Sequence, residues 1–260
     1  MLYKQDKRQH YWENNYLKYW RERVKLQNTL SKKDSLPPDM RVYKKFYDKI
    51  VVSLKKKGEM LDVGVGFGRF LTTFQKDFPH KVWGTDISQQ MIDYCKKTYP
   101  GLKKHLFAAP AEKQPFTKKS FSFINVWATF DAVYQEKTLR HILELLDDEG
   151  LILLTGKNFN YYDTDKKALE AEINARKKKH PNYFTNTKKL ISLLKRNNIE
   201  ILYQYFFKRR GDFAKFSHVR TMPKKFYEYA IIVKKTKNKV YKKFPTFSYK
   251  YSDTFKRVHI

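Results

Sequence analysis

Two glycines and an aspartate give the strongest chemical signal in the chain, within the segment LDVGVGFGRF at residues 61–70. The segment joins a predicted buried strand to a predicted helix. Gly64 and Gly66 lack a Cβ atom, so the backbone can turn tightly and lie against a ligand at the N-terminus of the helix. Asp62 adds a carboxylate, which suits a ligand with a cationic amine better than a diphosphate. The GxGxG spacing also differs from the GxGxxG spacing of dinucleotide-binding loops.

A second acidic residue, Asp86, ends the next predicted strand, 20 positions after Gly66. A carboxylate at the end of that strand can accept hydrogen bonds from ribose hydroxyls. The glycine loop and the strand-end acid together therefore predict a nucleoside-containing ligand. The alternative is structural: a glycine turn and a capping aspartate that hold no ligand.

Strand and helix patterns alternate along the central part of the chain. This alternation predicts a parallel sheet covered by helices on both faces. The predicted strands are residues 59–65, 81–87, 103–109, 121–127, 150–156, 199–210 and 225–235. The predicted helices between them are residues 68–78, 88–100, 138–147 and 185–198. Ser88 is the expected N-cap of the second of these helices.

Further helices are predicted outside this alternation. Aromatic residues at three- and four-residue spacings predict a helix over residues 5–30, and a second helix covers residues 39–56. Another is expected around residues 163–179. We therefore divide the chain into an N-terminal helical cap at 1–57, a domain at 58–235 with an insert at 157–184, and a basic, aromatic C-terminal segment at 236–260. No element is predicted for the last segment.

The central motifs resemble those of class I S-adenosylmethionine (SAM)-dependent methyltransferases. LDVGVGFGRF is similar to their first motif, D/E-x-G-x-G-x-G after a hydrophobic residue, and GTDISQQM to their second. AAPAEKQPF resembles their adenine loop, FSFINVWATF their fourth strand and LLDDEGLILLTG the turn into their fifth. The resemblance is close over residues 58–156. It implies an α/β, Rossmann-like, doubly wound and mostly parallel seven-stranded sheet with an antiparallel last strand, N-terminal helices and a helical insert after strand five.

The resemblance also implies which residues bind SAM and its product, S-adenosylhomocysteine (SAH). Asp62, Gly64 and Gly66 would hold the methionine part, and Asp86 would hold the ribose. Other positions that match the cofactor motifs are Ile87, Met91, Ala111, Glu112 and Trp127. Met91 has an alternative role as a plain core residue. The chain departs from the family at Pro110, where an Asp is common, so at the adenine only the backbone N–H of Ala111 is implied.

Catalytic residues are expected just past the fourth strand, at the carboxyl edge of the sheet. Asp131 and Tyr134 are the predicted catalytic residues, because a hydroxyl acceptor benefits from a general base. The alternative for Asp131 is a helix cap. Residues predicted to bind the acceptor are Tyr11 and Tyr19 in the N-terminal helix and Asn158 and Tyr162 after the fifth strand. Simple docking of an amphipathic helix is the alternative for the two N-terminal tyrosines.

Composition limits the classes of partner and the compartment that we expect for the chain. The net charge is +29, but only twelve of the 55 basic residues are Arg, and Arg is the side chain that nucleic-acid readers favour. The single cysteine, Cys95, suits a reducing compartment, and no apolar run reaches 18 residues, so we expect a cytoplasmic protein without a membrane span. The acidic residues 147–149 are expected to form a solvated turn, and no metal site is predicted.

The leading predicted function is methylation of a small molecule, most simply O-methylation of a phosphorylated or nucleotide-linked precursor in carbohydrate biosynthesis. A basic, aromatic pocket suits such an anionic acceptor. One alternative is an RNA methyltransferase, which the charge and the basic aromatic tail favour. Another is a non-catalytic SAM-binding protein. The oligomeric state is left open.

Overall fold

The computed structural model describes residues 7–14, 16–31, 37–55, 57–236 and 244–259. Within these residues the strands are β1 (Glu59–Val63), β2 (Val82–Asp86), β3 (Leu106–Ala108), β4 (Phe121–Val126), β5 (Leu146–Asn158), β6 (Phe184–Thr185), β7 (Ile199–Phe207), β8 (Glu228–Lys235) and β9 (Ser248–Tyr249). The helices are α1 (Lys7–Asn14), α2 (Leu17–Ser31), α3 (Pro38–Ser53), α4 (Leu71–Asp77), α5 (Gln89–Thr98), α6 (Gln135–Leu145), α7 (Lys166–Lys177), α8 (Thr187–Arg196), α9 (Asp212–Lys215) and α10 (Asp253–His259).

The main sheet has the strand order β3-β2-β1-β4-β5-β8-β7. The five strands from β3 to β5 are parallel, and β8 runs antiparallel to both β5 and β7. This confirms the predicted fold of a mostly parallel sheet that ends in antiparallel strands. The two-residue strands β6 and β9 were not predicted; they extend the sheet from the end of β5.

Buried apolar residues explain why the central strands form a two-sided layer. All six residues of β4, FSFINV, are buried, as expected for a parallel strand with helices on both faces. One core lies under α6 and α8, with Leu139 and Leu190 among its residues. The other core lies under α3, α4 and α5, with Phe46, Phe74 and Ile92 among its residues. The two layers hold the carboxyl ends of β1, β2, β4 and β5 at one edge of the sheet.

Local capping explains several helix starts. Ser88 caps α5 as predicted, because its side chain accepts a hydrogen bond from Met91 N. Asn186 caps α8 and Asp165 caps α7 in the same way. The predicted helix over residues 5–30 is instead two helices, α1 and α2, and residue 15 between them lies outside the described residues.

The acidic residues 147–149 belong to β5 rather than to a free turn. They form a bulge, since Phe121 pairs with Leu146 whereas Phe123 pairs with Leu151. Glu149 has a φ of +67° and its carboxylate contacts Lys234 and Lys55 at 2.7 and 3.0 Å. These carboxylates therefore serve surface ion pairs.

The C-terminal segment packs against the insert, where the sequence predicted no element. Thr254 Oγ1 donates a hydrogen bond to Tyr161 O at 2.7 Å, and Phe247 N donates one to Glu136 Oε1 at 2.7 Å. Residues 237–243 and 260, also within the predicted C-terminal segment, lie outside the described residues. In the described part of the chain, no helix combines the length and the apolar character that a membrane crossing needs.

Candidate active site

A cavity of about 430 Å³ opens at the carboxyl edge of the sheet. Its floor is the glycine loop after β1 together with the ends of β2 and β4. Residues at the ends of β5 and β8 and residues of α1 and α2 complete its lining. Because open α/β sheets bind ligands at this edge, the cavity is the candidate active site.

The glycine loop lies against the cavity because of its backbone conformation. Gly64 and Gly66 have φ angles of +79° and +54°, in the left-handed region that favours glycine. A Cβ on Gly64 would lie 2.3 Å from Thr129 Oγ1, so this position has no room for a side chain. A Cβ on Gly66 would meet nothing within 4 Å. Gly64 therefore fixes the fold of the loop, and Gly66 leaves space for a ligand.

Asp86 connects the end of β2 to the glycine loop. Its carboxylate accepts hydrogen bonds from Gly66 N at 3.0 Å and from Ser88 N at 2.9 Å. Burial raises the pKa of Asp86 to about 6, although these N–H donors oppose the shift. The residue lines the cavity, so a ligand hydroxyl can reach its remaining lone pairs.

Asp62 and Asn125 form a buried polar pair beside the loop. Asn125 Nδ2 donates to Asp62 Oδ1 at 2.6 Å, and Asn125 Oδ1 is buried without a hydrogen-bond partner among the described residues. Burial raises the pKa of Asp62 to about 7. A buried carboxylate without a cation is costly, and so is a buried carbonyl oxygen without a hydrogen-bond donor. A ligand ammonium group satisfies both. The pair therefore fits the amino group of SAM.

The adenine side of the cavity is mainly apolar. Ile87, Met91 and Ala111 line it, as does the backbone around Ala109. Met91 is 2% exposed and also packs with Leu17 of α2, so it serves the core as well as the cavity. The glycine loop, Asp62, Asn125, Asp86 and this apolar wall together suit the amino group, ribose and base of SAM.

Trp127 also lines the cavity. Its ring packs edge-on against Tyr43 with centroids 4.4 Å apart, and at a tilt against Phe213 with centroids 5.2 Å apart. These contacts fix the indole of this predicted cofactor residue just after β4.

Helices α1 and α2 cover the mouth of the cavity. Arg8, Trp12, Tyr16 and Tyr19 line it from this side. Arg8 forms an ion pair with Glu112 at 7% and 14% side-chain exposure, and its guanidinium lies 4.0 Å from the centre of the Tyr134 ring. The cover is thus fixed to the predicted adenine loop by a largely buried ion pair.

Another contact holds the cover from the insert. Tyr11 is buried behind the lining, and its hydroxyl lies 2.9 Å from His180 Nδ1. Burial raises the pKa of Tyr11 to about 12 and lowers that of His180 to about 4. His180 is therefore neutral at physiological pH, and it lines the cavity.

The far end of the cavity carries charged side chains. Lys157 Nζ lies 3.2 Å from Asp131 Oδ2 and 3.7 Å from Glu172 Oε1, and it donates a hydrogen bond to Asn182 Oδ1 at 3.0 Å. Burial alone lowers the pKa of Lys157, but Tyr227, Asp131 and Glu172 outweigh it and raise that pKa. Lys157 is therefore charged and its partners are fixed.

Arg210 and Glu228 complete this end, and both line the cavity. Arg210 Nη1 donates to Tyr227 OH at 3.0 Å, and no carboxylate of the described residues lies within ion-pair distance of its guanidinium. Glu228 pairs with Lys157 across the β5–β8 ladder, but no described residue hydrogen-bonds to its carboxylate. Burial raises the pKa of Glu228 to about 7.

The structure brings most of the predicted site residues to one cavity. The predicted residues that line it are Asp62, Gly64, Gly66, Asp86, Ile87, Met91, Ala111, Trp127, Asp131 and Tyr19. The predicted residues outside the lining are Glu112, Tyr134, Tyr11, Asn158 and Tyr162.

Three of the residues outside the lining make contacts elsewhere in the fold. Tyr134 is 40% exposed under Arg8. Asn158 is buried and accepts a hydrogen bond from Thr187 Oγ1 at 2.9 Å. Tyr162 lies 5.0 Å below the guanidinium of Arg209.

The sequence prediction did not assign Lys157, Arg210 or Glu228 to the site. A signal was present, because Lys157 and Glu228 are charged residues at the ends of apolar strands, in LILLTGK and EYAIIV. A charge inside such a strand suggests a cavity or a buried partner. Which cavity it faces depends on strand pairing, and the sequence pattern does not give that.

Comparison with known proteins places the fold among methyltransferases. Residues 60–150 match a family model described as a methyltransferase domain. A SAM-dependent methyltransferase of Thermotoga maritima, described as a possible histamine N-methyltransferase, is 20% identical with a TM-score of 0.58, over 88% of this chain and 100% of that one. No curated protein sequence matches the chain.

Two further solved structures share the fold at lower identity. Geranyl diphosphate C-methyltransferase from Streptomyces coelicolor A3(2), in complex with Mg²⁺, geranyl diphosphate and SAH, is 13% identical with a TM-score of 0.56, over 76% of this chain and 80% of that one. A putative sarcosine dimethylglycine methyltransferase from Galdieria sulphuraria is 13% identical with a TM-score of 0.53, over 76% and 85%.

Proposed function

We propose that the chain, which matches a methyltransferase domain model over residues 60–150 and shares the fold of SAM-dependent methyltransferases, methylates a small anionic acceptor held by Arg210. The single observation that carries the proposal is the Arg210 guanidinium, which lines the cavity without a carboxylate partner among the described residues. A guanidinium at the wall of a cavity matches a phosphate or carboxylate with two parallel hydrogen bonds, so Arg210 suits an anionic ligand.

Positioning is the main task of the protein in this reaction. SAM supplies a methyl group on a sulfonium, a centre that is already reactive. Asp62 and Asn125 would hold its amino group, and Asp86 would hold its ribose. Arg210 would then anchor the acceptor at the other end, so that the two reactants share one cavity. Holding both in line supplies much of the lowering of the barrier.

A small acceptor is favoured by the size and cover of the cavity. Its volume of about 430 Å³ has to hold SAM as well as the acceptor, which leaves room only for a small acceptor. The aromatic side chains of Trp12, Tyr16 and Tyr19 on the cover suit the face of a sugar ring. We therefore favour O-methylation of a phosphorylated or nucleotide-linked carbohydrate precursor. A neighbour that binds geranyl diphosphate is an example of a phosphorylated acceptor within this fold.

The cellular setting follows from the same proposal. Such a precursor is a metabolite of the cytoplasm, and the single buried cysteine, Cys95, suits a reducing compartment. We therefore propose that the chain acts in cytoplasmic carbohydrate biosynthesis.

Transfer of tritium from methyl-labelled SAM tests the proposal. Glucose 6-phosphate, glucose 1-phosphate and UDP-glucose are each compared with glucose, with histamine and total RNA as alternative acceptors. We expect at least tenfold faster transfer to one of the phosphorylated sugars than to glucose. Equal transfer to glucose, or transfer only to histamine or RNA, contradicts the proposal.

Matched arginine variants sharpen this test. Arg210→Gln is expected to raise the KM for the phosphorylated acceptor at least tenfold. Arg209→Gln removes the same charge from the adjacent exposed residue and is expected to leave KM within twofold. Equal effects of the two substitutions would mean that net charge, rather than the Arg210 site, attracts the acceptor.

A further inference from the structure

Three side chains at the acceptor end could take a proton: Asp131, His180 and Glu228. All three line the cavity. A hydroxyl acceptor loses its proton during methylation, so the reaction needs a group in the cavity that takes this proton. The efficiency of a general base depends on a free lone pair, on reach, and on a pKa near the working pH.

Asp131 and His180 are each less suited to this role. Asp131 is engaged by Lys157 Nζ at 3.2 Å, and its backbone O accepts a hydrogen bond from Tyr183 N at 2.7 Å. His180 is engaged by Tyr11 OH at 2.9 Å, and burial lowers its pKa to about 4. An imidazole with so low a pKa binds a proton weakly at neutral pH.

Glu228 differs from both in its surroundings. It is the first residue of β8, the antiparallel strand, so its side chain reaches the same sheet edge as the ends of the parallel strands. Its carboxylate lines the cavity, and no described residue donates a hydrogen bond to it or pairs with it. The residue is half-buried, and a bound ligand can supply the hydrogen-bond partner that its carboxylate lacks among the described residues.

We infer that Glu228 is the general base that takes the proton from the acceptor hydroxyl, while Arg210 holds the anionic group of the same acceptor. This inference rests on the proposed function. The two side chains come from different elements, the loop after β7 and the start of β8. Together they select an acceptor that carries an anion and a hydroxyl on one small molecule. Free or nucleotide-linked sugar phosphates have this combination.

The charges around Glu228 suit a reversible proton acceptor. Burial raises its pKa to about 7, while Arg210 and Lys157 stabilise the carboxylate and Asp131 and Asp165 oppose it. A carboxylate with a pKa near 7 is half-protonated at neutral pH. It can accept a proton during transfer and release it to water afterwards.

The proposed step conserves atoms and charge. The acceptor oxygen forms a bond to the methyl carbon while the carbon–sulfur bond breaks, and the electron pair of that bond stays on sulfur. The hydroxyl proton passes to the Glu228 carboxylate. The products are the methyl ether, neutral SAH and protonated Glu228, which returns its proton to solvent.

Kinetics of Glu228→Gln with the fastest sugar phosphate acceptor test the inference, and Glu200→Gln, an exposed carboxylate on β7, is the matched control. We expect kcat to fall at least about 100-fold in Glu228→Gln, in the range of general-base effects, and to stay within twofold in Glu200→Gln. SAM is kept saturating at every pH, so that titration of Asp62 does not enter the rate. Under this condition kcat/KM for the acceptor rises with pH up to about 7 in the wild type, and Glu228→Gln removes this limb. An unchanged pH profile in Glu228→Gln overturns the inference.

Binding of SAH checks that the variant keeps its site, because this binding requires no proton transfer. We expect Glu228→Gln to bind SAH within threefold of the wild-type affinity. A parallel loss of SAH affinity and of sugar methylation overturns the inference, because it means that the substitution damages the site as a whole.

A direct titration keeps the inference testable even if no sugar phosphate is methylated. Carboxyl carbons of ¹³C-glutamate-labelled protein are followed by NMR in the SAH complex. One signal that titrates near pH 7 and is missing in Glu228→Gln supports Glu228 as a proton acceptor, and its absence overturns the inference. Failure of the sugar panel with this signal present refutes the proposed acceptor class alone.

Discussion

The donor end and the acceptor end of the cavity are built in different ways. The donor end, where the cofactor is expected, takes Asp62, the glycine loop and Asp86 from one short stretch of chain and holds them largely through backbone hydrogen bonds. The acceptor end takes its charged side chains from four separate places, which in chain order are Asp131, Lys157, Arg210 and Glu228.

This difference separates recognition of the cofactor from recognition of the acceptor. A loop fixed by glycine conformations binds a ligand mainly through the shape of its backbone, so the sequence motif can stay constant. An acceptor site built from side chains on distant elements can change one residue at a time. The donor end therefore indicates the reaction, and the acceptor end determines what is methylated.

The largest expected effect is a difference in unfolding free energy between variants of the two glycines at the donor end. Gly64→Val places a β-branched residue at φ +79° with its Cβ 2.3 Å from Thr129 Oγ1, so we expect a loss of about 4 kcal/mol in unfolding free energy. Urea denaturation measures it. Gly66→Ala meets no neighbour, so we expect a loss of about 1 kcal/mol together with a roughly tenfold loss of SAH affinity.

The Gly66→Ala variant decides whether Gly66 contacts the ligand. SAH binding by Gly66→Ala at wild-type affinity would contradict the assignment of Gly66 to the ligand. It would leave both glycines with a purely structural role.

The next effect concerns the acceptor end. Lys157→Met leaves Glu172, which is 0% exposed, and Asp131 without their cation, so we expect a loss of about 3–5 kcal/mol in unfolding free energy. SAH affinity is expected to stay within twofold. The double variant Lys157→Met/Glu172→Gln should recover a large part of the stability. A loss below about 1 kcal/mol in the single variant would mean that the ion cluster contributes little to the fold.

A smaller effect tests the electrostatics of the donor end. Asp62 has a pKa of about 7 in the unliganded protein because it is buried, and only its carboxylate form attracts an ammonium group. SAH affinity is therefore expected to fall as pH decreases through 7, by up to about tenfold per pH unit. Calorimetric titration between pH 6 and pH 8 measures this.

The variant Asp62→Asn serves as the control for the pH dependence. It is expected to lose about 100-fold in SAH affinity at pH 8 and to lose the dependence assigned to Asp62. Because it removes a buried charge, the unliganded variant should also melt at a higher temperature than the wild type at pH 8. Equal pH dependence in both proteins would assign the titration to another group.

The smallest expected effect concerns the cover of the cavity. Arg8→Ala removes the ion pair to Glu112 and the contact with the Tyr134 ring, so we expect SAH to dissociate about threefold to tenfold faster. Stopped-flow displacement of SAH measures this rate. Arg21→Ala, on the exposed face of α2, is the control, and equal rates in the two variants would contradict a role for Arg8 in closing the cavity.

Periodicity and composition predicted most of the fold. The seven main strands and the helices between them follow apolar patterns long enough to be distinguished, as in FSFINV and TLRHILELL. The patterns did not predict β6 and β9, because two-residue strands have no period. The position of residues 244–259 depends on contacts such as Thr254 with Tyr161, which join residues far apart in the sequence.

The two ends of the site were predictable to different degrees. The donor residues belong to contiguous motifs, so spacing alone brings Asp62, Gly66 and Asp86 together. The acceptor residues converge only after β5 pairs with β8, which places Lys157 opposite Glu228. Sequence spacing does not contain that pairing.

A crystal structure of the SAH complex tests the two-ended cavity most directly. We predict that the amino group of SAH contacts Asp62 and Asn125, that its ribose contacts Asp86, and that Arg210 and Glu228 stay uncovered at the other end. An SAH molecule whose amino or carboxylate group occupies Glu228 or Arg210 would contradict the account, because no separate acceptor site would then exist.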